Sequence, residues 1–200
     1  MSLQQHSTWN DTEPPEAQAV PHGFIHPAFA ALESHWSALR CGNDIPHASA
    51  LSPAPLARWL PDMSIVEVVS PTHIQYRLVG TRVTERLGFN PTGENLVDFV
   101  EPDRRNLAGE LFTGITAHPC GARLSHLNIA KCGRQNLVLS IFYPLITPEG
   151  VAPRVVGMHA LDEVRHYGEP CSRATLAAQT NHFSWIDVGY GIPNWPDAAF

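Results

Sequence analysis

The chain has 200 residues, 44% of them hydrophobic, and a formal net charge of −6 at pH 7. This length suits one domain with extensions at its ends, and a fully buried Leu, Ile, Val or Phe contributes roughly 1.5–3 kcal/mol to its core. The acidic balance and the lack of a basic run argue against nucleic acid as the main partner. Without a secretory signal or an apolar segment of about eighteen residues, we expect no membrane span and a cytoplasmic location.

The first sixty residues predict an arm and two helices. Residues 1–24 are polar and contain several prolines, which favours a disordered arm. A helix is then predicted between Pro27 and Gly42, where proline suits the first turn and glycine the stop. Its apolar side chains recur at helical spacing: Phe29, Leu32, Trp36 and Leu39. A second, short helix is predicted from Ser52, a capping residue, to Pro61.

The middle of the chain predicts a hairpin followed by helices. Met63–Val69 and His73–Val79 are rich in β-branched and aromatic residues, and a Ser-Pro-Thr turn separates them. Short helical segments follow, beginning with residues 82–87. A longer helix is predicted from Pro102 to Ile115, although Gly109 within it costs about 1 kcal/mol relative to Ala.

Three more strands are predicted at Ala122–Ala130, Gln135–Leu145 and Pro153–Leu161. The links between them are short turns, which cannot cross over a sheet, so neighbouring strands must be antiparallel. The last two strands carry apolar residues at both parities, which indicates that both faces of the sheet are covered. The sequence therefore predicts an α+β fold with a five-stranded antiparallel sheet, helices inserted between the second and third strands, and two N-terminal helices.

The domain plan divides the chain into an arm at 1–24, a domain at 25–165 and a C-terminal segment at 166–200. Within the last segment, a final short helix is predicted at Ser172–His182. The remaining tail is aromatic but interrupted by Gly and Pro, with Trp185, Tyr190 and Trp195 as its largest side chains. It is interpreted as a strap over the domain or a disordered end, and less readily as a docking segment.

A particular set of residues accompanies this element order: the run Trp36 to Pro46, then Pro53, Leu56, Leu60 and Pro61, the run Tyr76 to Thr81, and finally Gly88, Thr92 and Gly93. The ordered set resembles a bacterial family of short stand-alone PAS-like proteins, formerly a domain of unknown function, over roughly residues 30 to 165. The resemblance implies a PAS fold and a role in signal transduction as a ligand sensor or interaction module. It supplies no catalytic residues.

The sequence has eleven histidines and four cysteines as candidate metal ligands. The closest grouping is His118, Cys120, His126 and Cys132, whose spacing matches no arrangement that converges on one ion, so no metal site is expected. Cys41 and Cys171 lie far from the others, and free thiols are favoured over disulfides. His118 or His159 as a haem ligand is less favoured than an imidazole in ordinary hydrogen bonds, so the cofactor is left undefined.

Catalytic motifs are missing from the sequence. There is no Gly-x-Ser-x-Gly nucleophile elbow, no phosphate-binding G-x-x-x-x-G-K-[ST] loop and no strand-linked G-x-G-x-x-G. Glu101, Asp103 and Glu110 on the predicted long helix are interpreted as a solvated face. We therefore expect no catalytic site.

A ligand pocket is the remaining candidate site. Strand residues with apolar bodies and polar or polarisable groups are its candidate lining: Tyr76, His126, Tyr143, Met158 and His159. Alternation along a regular strand prevents the adjacent Met158 and His159 from both facing inward, and the sequence does not assign which does. The competing interpretation is a cavity filled by side chains.

The first functional hypothesis is a non-catalytic sensor or interaction module that binds a small molecule or another signalling protein. It would act as a homodimer, in which the helix carrying Trp36 packs across two subunits or covers its own sheet. The alternative is a small α+β pocket enzyme with His126 or His159 as general base. A carboxylate bonded to either histidine in a closed cavity would favour the enzyme. A third hypothesis is a pure interaction module.

Overall fold

The computed structural model describes residues 25–130, 133–166 and 174–194. The predicted arm at residues 1–24 lies outside these ranges, as do Cys132, Cys171 and Trp195. In the described ranges the chain forms three α-helices and six strands: α1 (Pro27–Ala38), β1 (Met63–Ser70), β2 (His73–Val79), α2 (Thr81–Leu87), α3 (Arg105–Ala117), β3 (Gly121–Ala130), β4 (Gln135–Leu145), β5 (Arg154–His166) and β6 (Ala174–Ile186). The α+β class is thereby confirmed.

The second predicted helix, from Ser52 to Pro61, is wrong. This stretch holds two single 3-10 turns, Ala54–Leu56 and Leu60–Asp62. The spacing of the prolines is the physical reason: a proline is tolerated only in the first turn of a helical segment, and Pro55 and Pro61 each begin a separate turn. Each 3-10 turn instead has a proline in its first two positions, where the missing N–H costs nothing.

The strands form one antiparallel sheet in the order β2-β1-β5-β4-β3-β6. The first five strands follow the prediction, with the helices inserted between β2 and β3. The predicted final helix at Ser172–His182 is wrong, and so is the strand count of five. Its described part belongs to β6, which pairs with β3 from Gly121↔Ile186 to Ala130↔Ala174.

The Ala, Leu and Gln residues of β6 explain the wrong prediction, since they favour a helix locally. Without β6, β3 would present a row of unpaired N–H and C=O groups at the edge of the sheet. Long-range pairing therefore overrides local propensity here. The chain joins its last described strand to the same sheet, beside the strand that would otherwise be exposed.

The two faces of the sheet carry separate layers of helix. On one face, α1 packs its buried residues Phe29, Leu32 and Trp36 against Tyr143 and Met158. On the other face, α2, α3 and the 3-10 turn Leu96–Phe99 pack over the sheet, and their apolar residues form two clusters with residues of the strands. Both faces are covered, as the apolar residues at both parities of β4 and β5 predicted.

The position of α3 depends on a glycine. A Cβ atom added to Gly109 would collide with the carbonyl group of Pro71 in the β1–β2 turn. The absence of a side chain therefore allows the helix backbone to approach the turn directly. Sequence reasoning counted Gly109 only as a weakness in a helix, whereas the structure shows the contact that requires it.

None of the helices that the structure describes is long and apolar enough to cross a membrane.

Candidate functional site

A cavity of about 90 Å³ lies between the sheet and the layer formed by α2, α3 and the turn at Leu96–Phe99. Most of its wall is apolar: Val83, Leu87, Leu111, Phe112, Leu124 and Phe142. The remaining wall includes polar side chains from β1, β3, β5 and α2. Such a mixture of apolar surface with a few polar groups is typical of small-molecule sites.

His159 is held in place by two serine hydroxyls. Its Nε2 lies 2.7 Å from Ser64 Oγ on β1, and its Nδ1 lies 2.8 Å from Ser140 Oγ on β4. Gly157 leaves room for this ring, since a Cβ there would lie 3.1 Å from Nε2. Burial lowers the pKa of His159 well below 6.5, and the positive charge of Arg86 lowers it further. His159 is therefore a neutral ring with both nitrogens hydrogen-bonded.

His126 lies on β3, and one of its ring nitrogens has no hydrogen-bond partner among the described residues. The residue is 8% exposed, and no described residue forms a hydrogen bond with its Nδ1. Burial lowers the pKa of His126 to about 4, with a further contribution from Arg86. A buried ring nitrogen without a partner costs roughly 1–3 kcal/mol, so this atom is an acceptor or donor available to something that enters the cavity.

Arg86 is the more buried of two cations, Arg86 and Arg104, in the described wall of the cavity. Its side chain is 9% exposed, and it donates from NH1 to Asp62 Oδ1 at 3.0 Å and from NH2 to the carbonyl of His159 at 3.2 Å. The same carboxylate accepts from Arg82 at 2.5 Å, on the exposed side of α2. Desolvation lowers the pKa of Arg86, an effect that Asp62 opposes.

The end of the cavity beside β6 is closed by an irregular stretch of that strand. Ala177 has a positive φ of 48°, and its N–H donates to Oδ1 of the buried Asn128 at 3.1 Å. Nearby, Arg104 donates to the hydroxyl of Thr180 at 3.3 Å. The register between β3 and β6 shifts on both sides of this region. β6 therefore supplies a wall of the cavity that the predicted helix would not have supplied.

The cavity brings together three of the five residues proposed from the sequence, namely Tyr76, His126 and His159. Tyr76 is buried, and burial raises the pKa of its hydroxyl. The structure places the other two, Tyr143 and Met158, on the opposite face of the sheet, against α1. The reason is the alternation of side chains along β4 and β5, which sends Met158 and His159 to opposite faces.

Tyr143 is buried beside α1, where it also lines a second pocket of about 410 Å³. The ring of Trp36 stacks on Tyr143 with 4.9 Å between centroids, and its indole N–H donates to the carbonyl of Pro144 at 2.8 Å. Trp36 is 1% exposed. Of the two alternatives left open for the helix carrying Trp36, the structure shows the one in which it covers the sheet of its own chain.

Arg86, Ser64 and Ser140 were missed by sequence reasoning. Arg86 lies between the apolar Val83 and Leu87 on α2, so a charged residue on the buried side of a short helix was the available signal. The serines carry no comparable signal. Ser64 and Ser140 are recognisable only once the register between strands brings both of them to the ring of His159.

Metal and thiol chemistry have little support at this site. Among the described residues, no group of three or more His, Cys, Asp or Glu side chains is arranged to hold an ion. Cys120 is a buried free thiol and Cys41 an exposed one, while Cys132 lies outside the described ranges. His118 follows the end of α3 and does not line the cavity.

The cavity is poorly suited to general-base chemistry. No Asp or Glu is among its lining residues in the described part of the chain, and His159 is bonded to hydroxyls rather than to a carboxylate. A pKa of about 4 makes His126 a weak base at neutral pH, because an efficient catalytic base has a pKa near the working pH. The criterion that would have favoured the pocket enzyme is not met by these residues.

A family model described as "PAS domain" matches residues 24–160, which is more than half of the chain. The match contains α1 and most of the sheet, and it ends before β6. In a search of curated proteins, none matches the chain.

Proposed function

This chain belongs to the PAS domain family, and we propose that it is a non-catalytic sensor whose cavity binds a small molecule. The observation that carries the proposal is the buried, unpartnered Nδ1 of His126 in the wall of a mainly apolar cavity. A protein core that only filled its own space would gain stability by removing such an atom. A ligand that forms a hydrogen bond with this nitrogen would remove the free-energy cost of leaving it without a partner.

The size of the cavity restricts the ligand. A volume of about 90 Å³ is smaller than the 300–1,000 Å³ or so of pockets for drug-sized molecules, and nearer the roughly 150 Å³ of an engineered cavity that binds benzene. The proposed ligand is therefore a compact molecule with fewer than about ten non-hydrogen atoms. Polycyclic or nucleotide ligands would need the helices to move away from the sheet.

The proposed output passes to another signalling protein. We further propose that the chain acts as a homodimer in the cytoplasm of a bacterium. The dimer would use a surface other than the buried face of α1, since Trp36 is covered within its own chain.

The test fills the cavity from α3. Ala108 lines it, so Ala108→Leu places three more carbon atoms in the space, while Ala57→Leu makes the same change at an exposed site. The purified wild-type protein is examined by native mass spectrometry for retained small molecules and subunit number. A fragment library is then screened by amide NMR shifts.

We expect fragments that shift the amides of His126, Ser140 and Arg86 in the wild type and in Ala57→Leu, and lose this effect in Ala108→Leu. Thermal melting shows that each variant is folded. The sensor proposal is wrong if the wild type retains no molecule and no fragment shifts these amides. It is also wrong if the same shifts persist in a folded Ala108→Leu protein.

A further inference from the structure

Building on the proposed ligand role of the cavity, we infer that it selects a small monocarboxylate, with the carboxylate held by Arg86 and the apolar part against the sheet and α3. The ligand class, which the family does not define, follows from the charges and free polar atoms around Arg86.

The cavity wall carries positive charge. Arg86 and Arg104 both line it, and no Asp or Glu is among the described lining residues. Outside this wall, Asp62 accepts hydrogen bonds from both Arg82 and Arg86. The side chain of Arg82 is 55% exposed and is solvated, whereas that of Arg86 is 9% exposed and is the more deeply buried cation.

Arg86 has more N–H donors than its described hydrogen bonds use. A guanidinium group has five N–H donors in a planar fork that matches a carboxylate. The described bonds run from NH1 to Asp62 and from NH2 to the carbonyl of His159. A buried cation is stabilised when an anion and further acceptors surround it. An anionic ligand in this cavity would complete that environment.

His126 is a neutral group near pH 7. Burial, and then the charge of Arg86, lower its pKa to about 4, so the positive charge of the wall belongs to the arginines. The unpartnered Nδ1 of His126 is the second polar atom available to a ligand, and a neutral imidazole can donate from it. In the proposed complex, Arg86 and His126 each form a hydrogen bond with one oxygen of the carboxylate.

A carboxylate with an apolar body suits the cavity better than a phosphate, because a phosphate presents three strong acceptor oxygens and no apolar surface. The rest of the wall, including Leu111 and Phe142, accepts only apolar groups. A short branched or aromatic monocarboxylate satisfies both requirements within the small volume.

The experiment compares acids with amides of the same shape. Isovalerate and benzoate are titrated against isovaleramide and benzamide by calorimetry and by amide NMR shifts, using the full chain. We expect each acid to bind about tenfold or more tightly than its amide, as a charge-assisted hydrogen bond warrants. Arg86→Gln should lose that preference, while the matched control Arg82→Gln should change it by less than about threefold, since its charge is solvated.

A wild-type measurement covers the case in which Arg86→Gln does not fold. Isovalerate should shift the side-chain Nε–H resonance of Arg86, and isovaleramide should not. The inference is wrong if amides bind as tightly as acids, or if the acids bind without moving this resonance; either result leaves the sensor proposal standing. If neither acids nor amides bind, and the fragment screen is also empty, both proposals are wrong.

Discussion

The two faces of the sheet differ, although the same strands supply both. Toward α1, the sheet presents Met63, Leu139 and Met158, which belong to one buried apolar cluster. The next residue along each strand, Ser64, Ser140 and His159, points to the opposite face and joins the polar group of the cavity. One residue of register therefore separates a buried apolar cluster from a cluster of buried polar side chains.

The cavity face has features that lower the stability of the fold. The α1 face buries large rings and methionines, and a pocket of about 410 Å³ lies beside them between α1 and Tyr143. The cavity face contains free volume and a histidine nitrogen without a described partner, and both features cost stability. Such departures from optimal packing are expected where a protein binds something, which supports the proposal of a ligand site on the face toward α2 and α3.

The largest expected effect comes from breaking the face that packs against α1. Trp36→Ala should lower the free energy of unfolding by about 3–5 kcal/mol, because it removes a fully buried ring, its stacking on Tyr143 and the hydrogen bond to Pro144. Urea denaturation measures the loss. Trp59→Ala is the control, since Trp59 is half-buried and should cost less than half as much. Equal losses would show that α1 is not the cover of this face.

The stability contributed by the cavity face should depend on pH. The pKa of His126 is about 4 when folded and about 6.5 when unfolded, so the unfolded chain binds more protons between these values. Stability is therefore full above pH 6.5 and falls as the pH drops toward 4, by about 3 kcal/mol for this group. Burial acts on His159 in the same direction.

His126→Leu tests this by removing one titrating ring. Unfolding of the wild type and the variant in urea is compared at pH 7.5 and pH 5. The wild type should lose about 2 kcal/mol more than the variant over that interval. An equal loss in both proteins would contradict a neutral, buried His126.

The order of the three α-helices and of the first five strands could be read from the sequence, because proline, glycine and period-two patterns are local signals. The last strand could not, since the pattern of Ser172–His182 predicts a helix and the pairing of its described part with β3 is a long-range contact. The residues of the cavity could be predicted only in part. Tyr76 and the two histidines were identifiable by residue type, but alternation alone could not decide between Met158 and His159. Arg86 could not be identified as a lining residue without knowing that α2 covers the cavity.

A smaller effect is expected where α3 meets the β1–β2 turn. Gly109→Ala should lower stability by about 1–2 kcal/mol, because crowding against the backbone of Pro71 outweighs the gain of about 1 kcal/mol in helix propensity. Asn106→Ala, at an exposed position on α3, should change stability by less than about 0.5 kcal/mol. Thermal melting of both variants measures the difference. Stabilisation by Gly109→Ala would mean that α3 stands away from the turn.

The smallest effect concerns the wall of the cavity formed by β6. Ala177 has a φ of 48°, which costs a residue with a Cβ about 1–2 kcal/mol. Ala177→Gly should relieve this strain and lose about 0.5–1 kcal/mol to backbone entropy, for a net stabilisation of about 0.5–1 kcal/mol. The neighbouring Ala178→Gly has the entropy cost without the relief and should destabilise. Opposite signs for two adjacent alanines would establish the irregular conformation of β6 beside Asn128, whereas two losses would indicate a regular strand.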